Sequence, residues 1–292
     1  MPNTLAHLGV QALVGRVVVP SVSMGWVWLG CVLPDLPWIG LRAMGMVVSE
    51  ASAFDLRLWA IGQSSLFFCA IGSAGFAFMS RRPGPVFGVL VLGCLLHLLL
   101  NASQTKWANG VVLAAPLDWS TINAELYWPE DWPTSVLTIS GGMVFVWAAL
   151  FWRSTDAENG RRRPALAMLL FSGWLVGPIA ALDAIEADGA HHVNVLREAD
   201  ARDGRAIGFD RARLIPTETG RALEIWTGEV LAIEGAPAMR GERTVSVRGR
   251  FAGTRTVVAE DMHVHTTGWR DLMSYVGLLL VASCWGVAIL RR

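Results

Sequence analysis

The sequence has few charged residues and no excess of either sign. Asp, Glu, Lys and Arg make up 16% of its 292 residues, whereas an ordinary soluble protein contains about 25%. Hydrophobic residues make up 53%, and the mean hydropathy is +0.44. This composition predicts a membrane protein. Because the formal net charge is zero, the sequence gives no support for a nucleic-acid partner.

Cysteine motifs for metal binding or disulfide formation are also missing. The sequence has four cysteines and no CxxC pair, and each of the four lies in an apolar segment. A cysteine in an apolar segment usually acts as a small buried hydrophobic residue. We favour this interpretation over a disulfide or a metal role. The amino terminus lacks the basic region, apolar core and cleavage site of a secretory signal, so no cleaved signal peptide is predicted.

The sequence contains several long apolar segments with few charged residues. A membrane-spanning helix needs about 20 mostly apolar residues. Good candidates are 58–79, 133–152, 165–182 and 272–290. The apolar segment 86–100 is shorter, and 21–41 contains Pro34, which predicts a break or an end near Leu33. Residues 4–19 are too short to span easily and can form a short helix within the bundle.

The positions of the arginines predict an orientation. Under the positive-inside rule, short arginine-containing loops and ends face the cytoplasm. These arginines are Arg81, Arg82, Arg153, Arg161, Arg162, Arg163, Arg291 and Arg292. Counting spans from them predicts that the carboxyl terminus is cytoplasmic. The loops 42–57 and 101–132 and the hydrophilic insert 183–269 are then external.

The insert 183–269 has a β-type pattern. Apolar and polar residues alternate in TVSVRGRF (244–251) and in MHVHT (262–266), and glycine-containing turns separate the runs. Four or five strands in a segment of this length predict a small antiparallel barrel of the OB type. An OB fold alone does not establish nucleic-acid binding.

The predicted fold is therefore an all-α polytopic membrane bundle of about six to seven membrane segments with an inserted small external β domain. We expect a helical membrane domain over 1–182, the external β-rich domain over 183–269 and a C-terminal transmembrane helix over 270–292.

Three residues of metal-ligand type, His7, Asp35 and His97, are predicted to lie near the external face. Imidazole and carboxylate suit zinc, and a catalytic zinc commonly has three protein ligands and an open position for water. In that hypothesis Asn101 orients water or substrate and Asp118 is the general base. The alternatives are an interfacial His7, a helix-capping Asp35 and a His97–Asn101 pair that helps helices pack.

The loop that follows Asn101 is rich in tryptophan and in acidic residues. Its members are Trp107, Trp119, Trp128 and Trp132, with Asp118, Glu125, Glu130 and Asp131. An aromatic belt at the membrane interface is favoured over substrate contact, and solvated carboxylates are favoured over ligands. His263 and His265 share one face of a strand and can bind metal. Because the sequence offers no evident third ligand, a solvated strand face is the favoured interpretation.

Three short motifs carry a resemblance to a known family. NTLAHLGV (3–10), LPD (33–35) and HLLLNASQTKWANGVVLAAP (97–116) resemble the YdjM-like bacterial inner-membrane proteins, a family of metal-dependent hydrolases. The resemblance covers about residues 3–120, and the matching residues are His7, Pro34, Asp35, His97, Thr105, Gly110, Val111 and Pro116. It implies a multi-pass protein of the bacterial inner membrane whose metal ligands are His7, Asp35 and His97. Ser64 and Asn101 stand where that family has histidine and aspartate, which are better ligands.

Two functions follow as hypotheses. The first is a membrane-bound metal-dependent hydrolase-like protein, active or degenerate, with an outward-facing site for an interfacial lipid, ester or phosphodiester. Its cofactor is a divalent transition metal such as zinc, or none if the site is degenerate. The alternative is a non-catalytic membrane subunit whose external β domain binds a partner protein in a larger assembly. A transporter is less favoured, because the spans show no paired broken helices.

Overall fold

The computed structural model describes residues 3–45, 53–151, 162–218, 220–237, 239–266 and 268–290. The helices are α1 (Thr4–Val18), α2 (Met24–Val32), α3 (Leu36–Gly45), α4 (Ala53–Gln63), α5 (Leu66–Phe78), α6 (Pro83–Ala102), α7 (Trp132–Phe151), α8 (Pro164–Val176), α9 (Leu182–Asp188), α10 (His191–Arg197) and α11 (Trp269–Leu290). The strands are β1 (Ala206–Thr217), β2 (Gly220–Glu224), β3 (Val230–Glu234), β4 (Arg243–Ala252) and β5 (Thr256–Val264). Arg153, Arg161, Arg291 and Arg292, which served above for orientation, lie outside the described residues.

The prediction of an all-α bundle with about six to seven membrane segments is wrong. The fold is mixed, since the five strands close into a barrel beside the helices. Four helical stretches of the described chain are long and apolar enough to cross a membrane: Met24–Arg42, Pro83–Ala102, Trp132–Phe151 and Pro164–Asp188. Three predicted segments are not among the four: 4–19 is the 15-residue α1, 58–79 is broken, and 272–290 belongs to α11.

The predicted span 58–79 is broken into α4 and α5. The two helices are bent by 68° and together reach the length of a fifth candidate span. Ser65 begins α5, because its side chain accepts a hydrogen bond from the backbone N–H of Phe68. The backbone N–H of Leu66 donates to the Val112 carbonyl at 3.0 Å, so the break also ties the bundle to the loop that follows α6. An apolar window does not reveal such a break.

The short helix α1 lies inside the bundle, against α2, α6, α7 and α11. Asn3 caps it by accepting a hydrogen bond from the backbone N–H of Ala6 at 3.0 Å. Glycines allow α1 and α7 to approach closely, since a Cβ on Gly9 would stand only 2.1 Å from the Gly141 Cα. Because α1 is enclosed, its polar residues His7 and Gln11 are buried within the protein.

The β-barrel has the strand order β1-β2-β3-β5-β4 and closes where β1 pairs with β4. Neighbouring strands are antiparallel except for β3 and β5, which are parallel. The inward positions of the alternating runs form an apolar core that includes Leu214, Leu223 and Val245. The alternation in TVSVRGRF and MHVHT thus corresponds to β4 and to the end of β5.

The loop 103–131 lies between the bundle and the barrel, and we call this side the barrel end of the bundle. Arg248 of β4 pairs with Glu125 of the loop and lies 4.8 Å from the centre of the Trp107 ring. Asn109 of the loop contacts Asp210 of β1 at 3.5 Å. These contacts bring residues of the barrel close to the first turn of α7, which follows the loop directly.

Candidate metal centre

His263 and His265 occupy alternate positions at the end of β5, so their side chains leave the same face of the strand. The backbone N–H of His265 donates to the Thr244 carbonyl at 2.9 Å, which continues the pairing with β4 beyond the last residue of β5. The ring of His263 stacks on Trp128 with 3.7 Å between ring centres and an angle of 3°. Trp128 belongs to the loop 103–131, so this face of the barrel is turned toward the bundle.

The third potential ligand is Glu130, in the turn that precedes α7. Asp131 holds this turn by accepting a hydrogen bond from the backbone N–H of Trp128 at 2.8 Å. Glu130, His263 and His265 each present a ligand atom, and these atoms all lie within 4.8 Å of one another. The interpretation of the two histidines as a solvated pair without a third ligand is therefore corrected. Two histidines and one glutamate are a ligand set found in catalytic zinc sites.

Hydrogen bonds inside the barrel wall orient the ring of His265. Its Nε2 lies 2.8 Å from Ser246 Oγ, and this hydroxyl lies 3.1 Å from Asp210 Oδ1. The backbone N–H of Arg211 also donates to Ser246 Oγ, at 3.2 Å. The single hydroxyl proton satisfies Asp210 only if Nε2 carries its own proton and donates it to Ser246. In that arrangement the Nδ1 lone pair of a neutral His265 points at Glu130.

Either a proton or a metal ion can satisfy the resulting arrangement of lone pairs. His265 Nδ1 lies 2.7 Å from Glu130 Oε1, and His263 Nε2 lies 3.5 Å from Glu130 Oε2. A carboxylate offers only acceptors, so facing lone pairs require a proton or a cation between them. Within the described chain, Glu130 Oε2 and His263 Nε2 are buried and have no hydrogen-bond partner. Since such atoms cost free energy when left unpaired, they indicate a site for a ligand.

The electrostatic surroundings keep these groups in the forms that bind metal. Burial, with His265 nearby, lowers the pKa of His263 and so favours its neutral ring. When His265 also carries a proton on Nδ1, burial works to raise the pKa of Glu130, but the hydrogen bond that Nδ1 then donates, the charge of that ring and the Arg211 cation outweigh it, and the net shift is downward. Glu130 is therefore held as a carboxylate.

A small cavity adjoins the glutamate. Its volume is about 60 Å³, and Asn3, Glu130, Thr134, Thr266 and Arg270 are among the residues that line it. A cavity of this size holds only a few water molecules. The cavity therefore has room for water beside Glu130.

Ser246→Ala is expected to lower the zinc affinity of the protein by about 10- to 100-fold, because it removes the group that fixes the orientation and tautomer of His265. Titration against a chromogenic zinc chelator measures the effect. Ser120→Ala, a change of an exposed loop serine, serves as the control and should bind like the parent. Equal affinities in all three proteins would show that Ser246 does not support a metal ligand.

The residues predicted from sequence form a second polar cluster, which lies within the bundle. The rings of His7 and His97 stack with 4.0 Å between centres and an angle of 8°. His97 Nε2 lies 3.4 Å from Asp35 Oδ1, and the Asn101 side chain approaches His7. Both histidines and Asn101 are buried. Within the described chain, the four ring nitrogens and Asp35 Oδ1 have no hydrogen-bond partner.

Two other residues considered from sequence lie apart from this cluster. Asp118 is exposed, and its carboxylate accepts a hydrogen bond from the backbone N–H of Ser120 at 2.7 Å. That bond lowers the pKa of Asp118, and the structure does not bring its carboxylate to His7 or His97. Ser64 lies at the break after α4, where its hydroxyl donates to the Ile61 carbonyl at 3.1 Å.

Lys106, the only lysine in the sequence, lies in the loop after α6 and is 5% exposed. Burial lowers its pKa to about 8, with a further lowering by Arg270, whereas Asp210 and Asp35 oppose the shift. The folded protein therefore binds fewer protons than the unfolded chain between about pH 8 and the ordinary lysine pKa. Its stability should rise with pH through that window.

Lys106→Met should abolish this dependence, which we expect to be on the order of 3 kcal/mol over the whole window. Melting temperatures in detergent at pH 7.5 and 10 measure it for the parent and the variant. Other groups that titrate in this range are shared by the two proteins and cancel in the difference. An equal change of melting temperature with pH in the two proteins would contradict the buried position of Lys106 and its lowered pKa.

No family model, no curated protein and no solved structure matches the chain. The case for a function therefore rests on the geometry of these two clusters.

Proposed function

We propose that the chain is a membrane-bound, metal-dependent hydrolase whose divalent metal, most readily zinc, is held by Glu130, His263 and His265. The observation that carries this proposal is the convergence of the three ligand atoms within 4.8 Å, from a loop of the bundle and a strand of the barrel. The unpartnered Glu130 Oε2 and His263 Nε2 support it. In metal sites, the second ring nitrogen of a ligating histidine is commonly hydrogen-bonded to another residue, and here Ser246 contacts His265 Nε2 in this way.

The position of the site suggests the substrate. Glu130 stands two residues before α7, which is one of the candidate membrane spans. A zinc ion with an open coordination position lowers the pKa of bound water and so supplies hydroxide near neutral pH. An ester or phosphodiester of a lipid at the membrane surface is then the substrate class within reach. In this proposal the barrel, whose strand order is that of an OB-type fold, lies outside a bacterial inner membrane.

The polar cluster of His7, Asp35 and His97 is a second candidate position for a metal. The favouring observation is that both nitrogens of both buried rings have no hydrogen-bond partner in the described chain, because unsatisfied polar groups at membrane depth are costly. Asn101 would orient a bound water there. The cluster offers one carboxylate contact at 3.4 Å and one ring stack, whereas the three ligand atoms at the barrel lie within 4.8 Å of one another. We therefore place the metal of the hydrolase at the barrel.

The hydrolase proposal is tested on membrane lipids directly. Purified parent protein is stripped with a chelator and incubated with vesicles of a total bacterial lipid extract, with and without added zinc. Mass spectrometry then compares all lipid species. We expect one lipid class to decrease and its cleavage product to appear only with zinc. His265→Ala should be inactive, and His191→Ala, which changes a histidine at the exposed start of α10, should act like the parent.

An unchanged lipid profile in the presence of bound zinc would reject the hydrolase. It would favour the alternative function, a non-catalytic subunit whose barrel binds a partner protein. That alternative predicts that the full-length protein, purified gently from its native membrane, carries a second protein in fixed stoichiometry.

A further inference from the structure

We propose that a groove along α1, α7 and α11 binds one acyl chain of a phospholipid and presents the lipid phosphate to the metal centre at Glu130, His263 and His265. This inference rests on the proposed function, which it deepens by naming the substrate class.

The groove is apolar and belongs to a membrane-facing surface. Its volume is about 570 Å³, and it runs along α7, a candidate span. The lining residues include Leu5, Ile139, Met143, Val146, Trp147 and Met273. Gly142 contributes no side chain, and Leu5 approaches α7 at that position. A lipid tail matches an apolar channel in this setting, because the surrounding solvent is itself hydrocarbon.

One end of the groove lies beside polar residues. Thr138 and Trp269 line both the groove and the 60 Å³ cavity that contains Glu130 and Arg270. The Asn3 side-chain amide donates to Thr138 Oγ1 at 2.6 Å, at the junction of the two spaces. An apolar groove beside a polar cavity is complementary to an amphiphile whose headgroup lies at the barrel end.

The charges at that end favour an anionic headgroup. Arg270 interacts electrostatically with Arg211, Asp271, Asp210 and Glu130. Lys106 interacts with Asp210 and Arg270 in turn. With Asp35, which also interacts with Lys106, four carboxylates surround these three cations before any metal is bound. A divalent cation at Glu130 adds two positive charges, so that the ion and Arg270 together offer cationic partners to a phosphate. The predicted occupant is therefore a phospholipid with its phosphate directed at Arg270 and the metal.

The test is photocrosslinking in nanodiscs that contain phosphatidylglycerol with a diazirine in one acyl chain. We expect the label to concentrate on peptides that contain Met143, Trp147 and Met273, and to be displaced by unlabelled phosphatidylglycerol but not by inorganic phosphate. Val146→Trp, which fills the groove, should reduce the specific label at least about 5-fold. Val136→Trp changes a residue of the same helix with similar exposure, 53% against 55%, outside the groove lining, and should leave the label unchanged.

Label spread evenly over the exposed face of α7, or equal effects of the two tryptophan variants, would overturn the inference. Its failure can be separated from that of the proposed function by measuring zinc in the same samples. A zinc-loaded protein without a specific acyl site refutes the lipid groove alone. A specific acyl site in a protein that binds no zinc at Glu130, His263 and His265 refutes the metal centre, and with it the presentation of the phosphate to a metal.

Discussion

Replacement of His265 by alanine is expected to lower the zinc affinity of the protein by more than about 100-fold. Loss of a group that only supports a ligand costs 10- to 100-fold, and His265 is itself a proposed ligand, with Nδ1 2.7 Å from Glu130 Oε1. The variant leaves only Glu130 and His263 to hold the ion. Competition of the purified protein against a chromogenic chelator gives the affinity of parent and variant under the same conditions.

The control for this experiment is His191→Ala. His191 lies at the exposed start of α10, and its ring contacts the Ala206 carbonyl at 3.2 Å. Its replacement removes a histidine near the barrel without touching the three proposed ligands, so zinc affinity should stay within about 2-fold of the parent. A large loss in both variants, or in neither, would mean that His265 does not coordinate the ion.

Gly141→Ala is expected to destabilise the protein by about 1–3 kcal/mol, although alanine favours a helix by about 1 kcal/mol over glycine. The added Cβ would stand 2.4 Å from the Leu5 carbonyl oxygen and 3.0 Å from the Ala6 Cα. Both are backbone atoms of α1 and cannot move without shifting the helix. The melting temperature in detergent should fall, and less protein should accumulate in the membrane.

The neighbouring residue provides a matched control. A Cβ on Gly142 would meet the Leu5 side chain at 3.4 Å and 3.8 Å, which are ordinary van der Waals distances. Gly142→Ala should therefore be neutral or stabilising, because only the helix propensity changes. Of these two adjacent substitutions, only Gly141→Ala should thus lower the melting temperature. Equal melting temperatures for the two variants would contradict the close packing of α1 against α7.

The sequence predicted well those features that depend on local pattern. Alternation in TVSVRGRF and MHVHT predicted strands, and the described chain has a closed barrel there. Apolar composition predicted membrane association, for which four helical stretches are suitable. The number of spans was wrong, because hydropathy does not register the 68° bend at Ser64 and Ser65. The length of the segment 4–19, by contrast, predicted a short helix within the bundle, and α1 has 15 residues.

The candidate site depended on a contact that the sequence does not contain. His263 and His265 form a visible pair, but Glu130 reaches them only because the loop 103–131 packs against the barrel. A single sequence carries no record of that pairing, and Glu130 had been interpreted as a solvated loop carboxylate. His7, Asp35 and His97 were grouped because they were predicted to lie at one membrane depth. In the structure they are close together, with 4.0 Å between the centres of the two rings and 3.4 Å from His97 Nε2 to Asp35 Oδ1.

The most direct test of the account is elemental analysis of the detergent-purified protein beside the variants His265→Ala and His97→Ala. The account predicts about one zinc per chain in the parent and in His97→Ala, and almost none in His265→Ala. Retention of zinc in His265→Ala with loss in His97→Ala would move the metal to the cluster of His7, Asp35 and His97. No metal in the parent, even after zinc is supplied during purification, would contradict the metal centre itself.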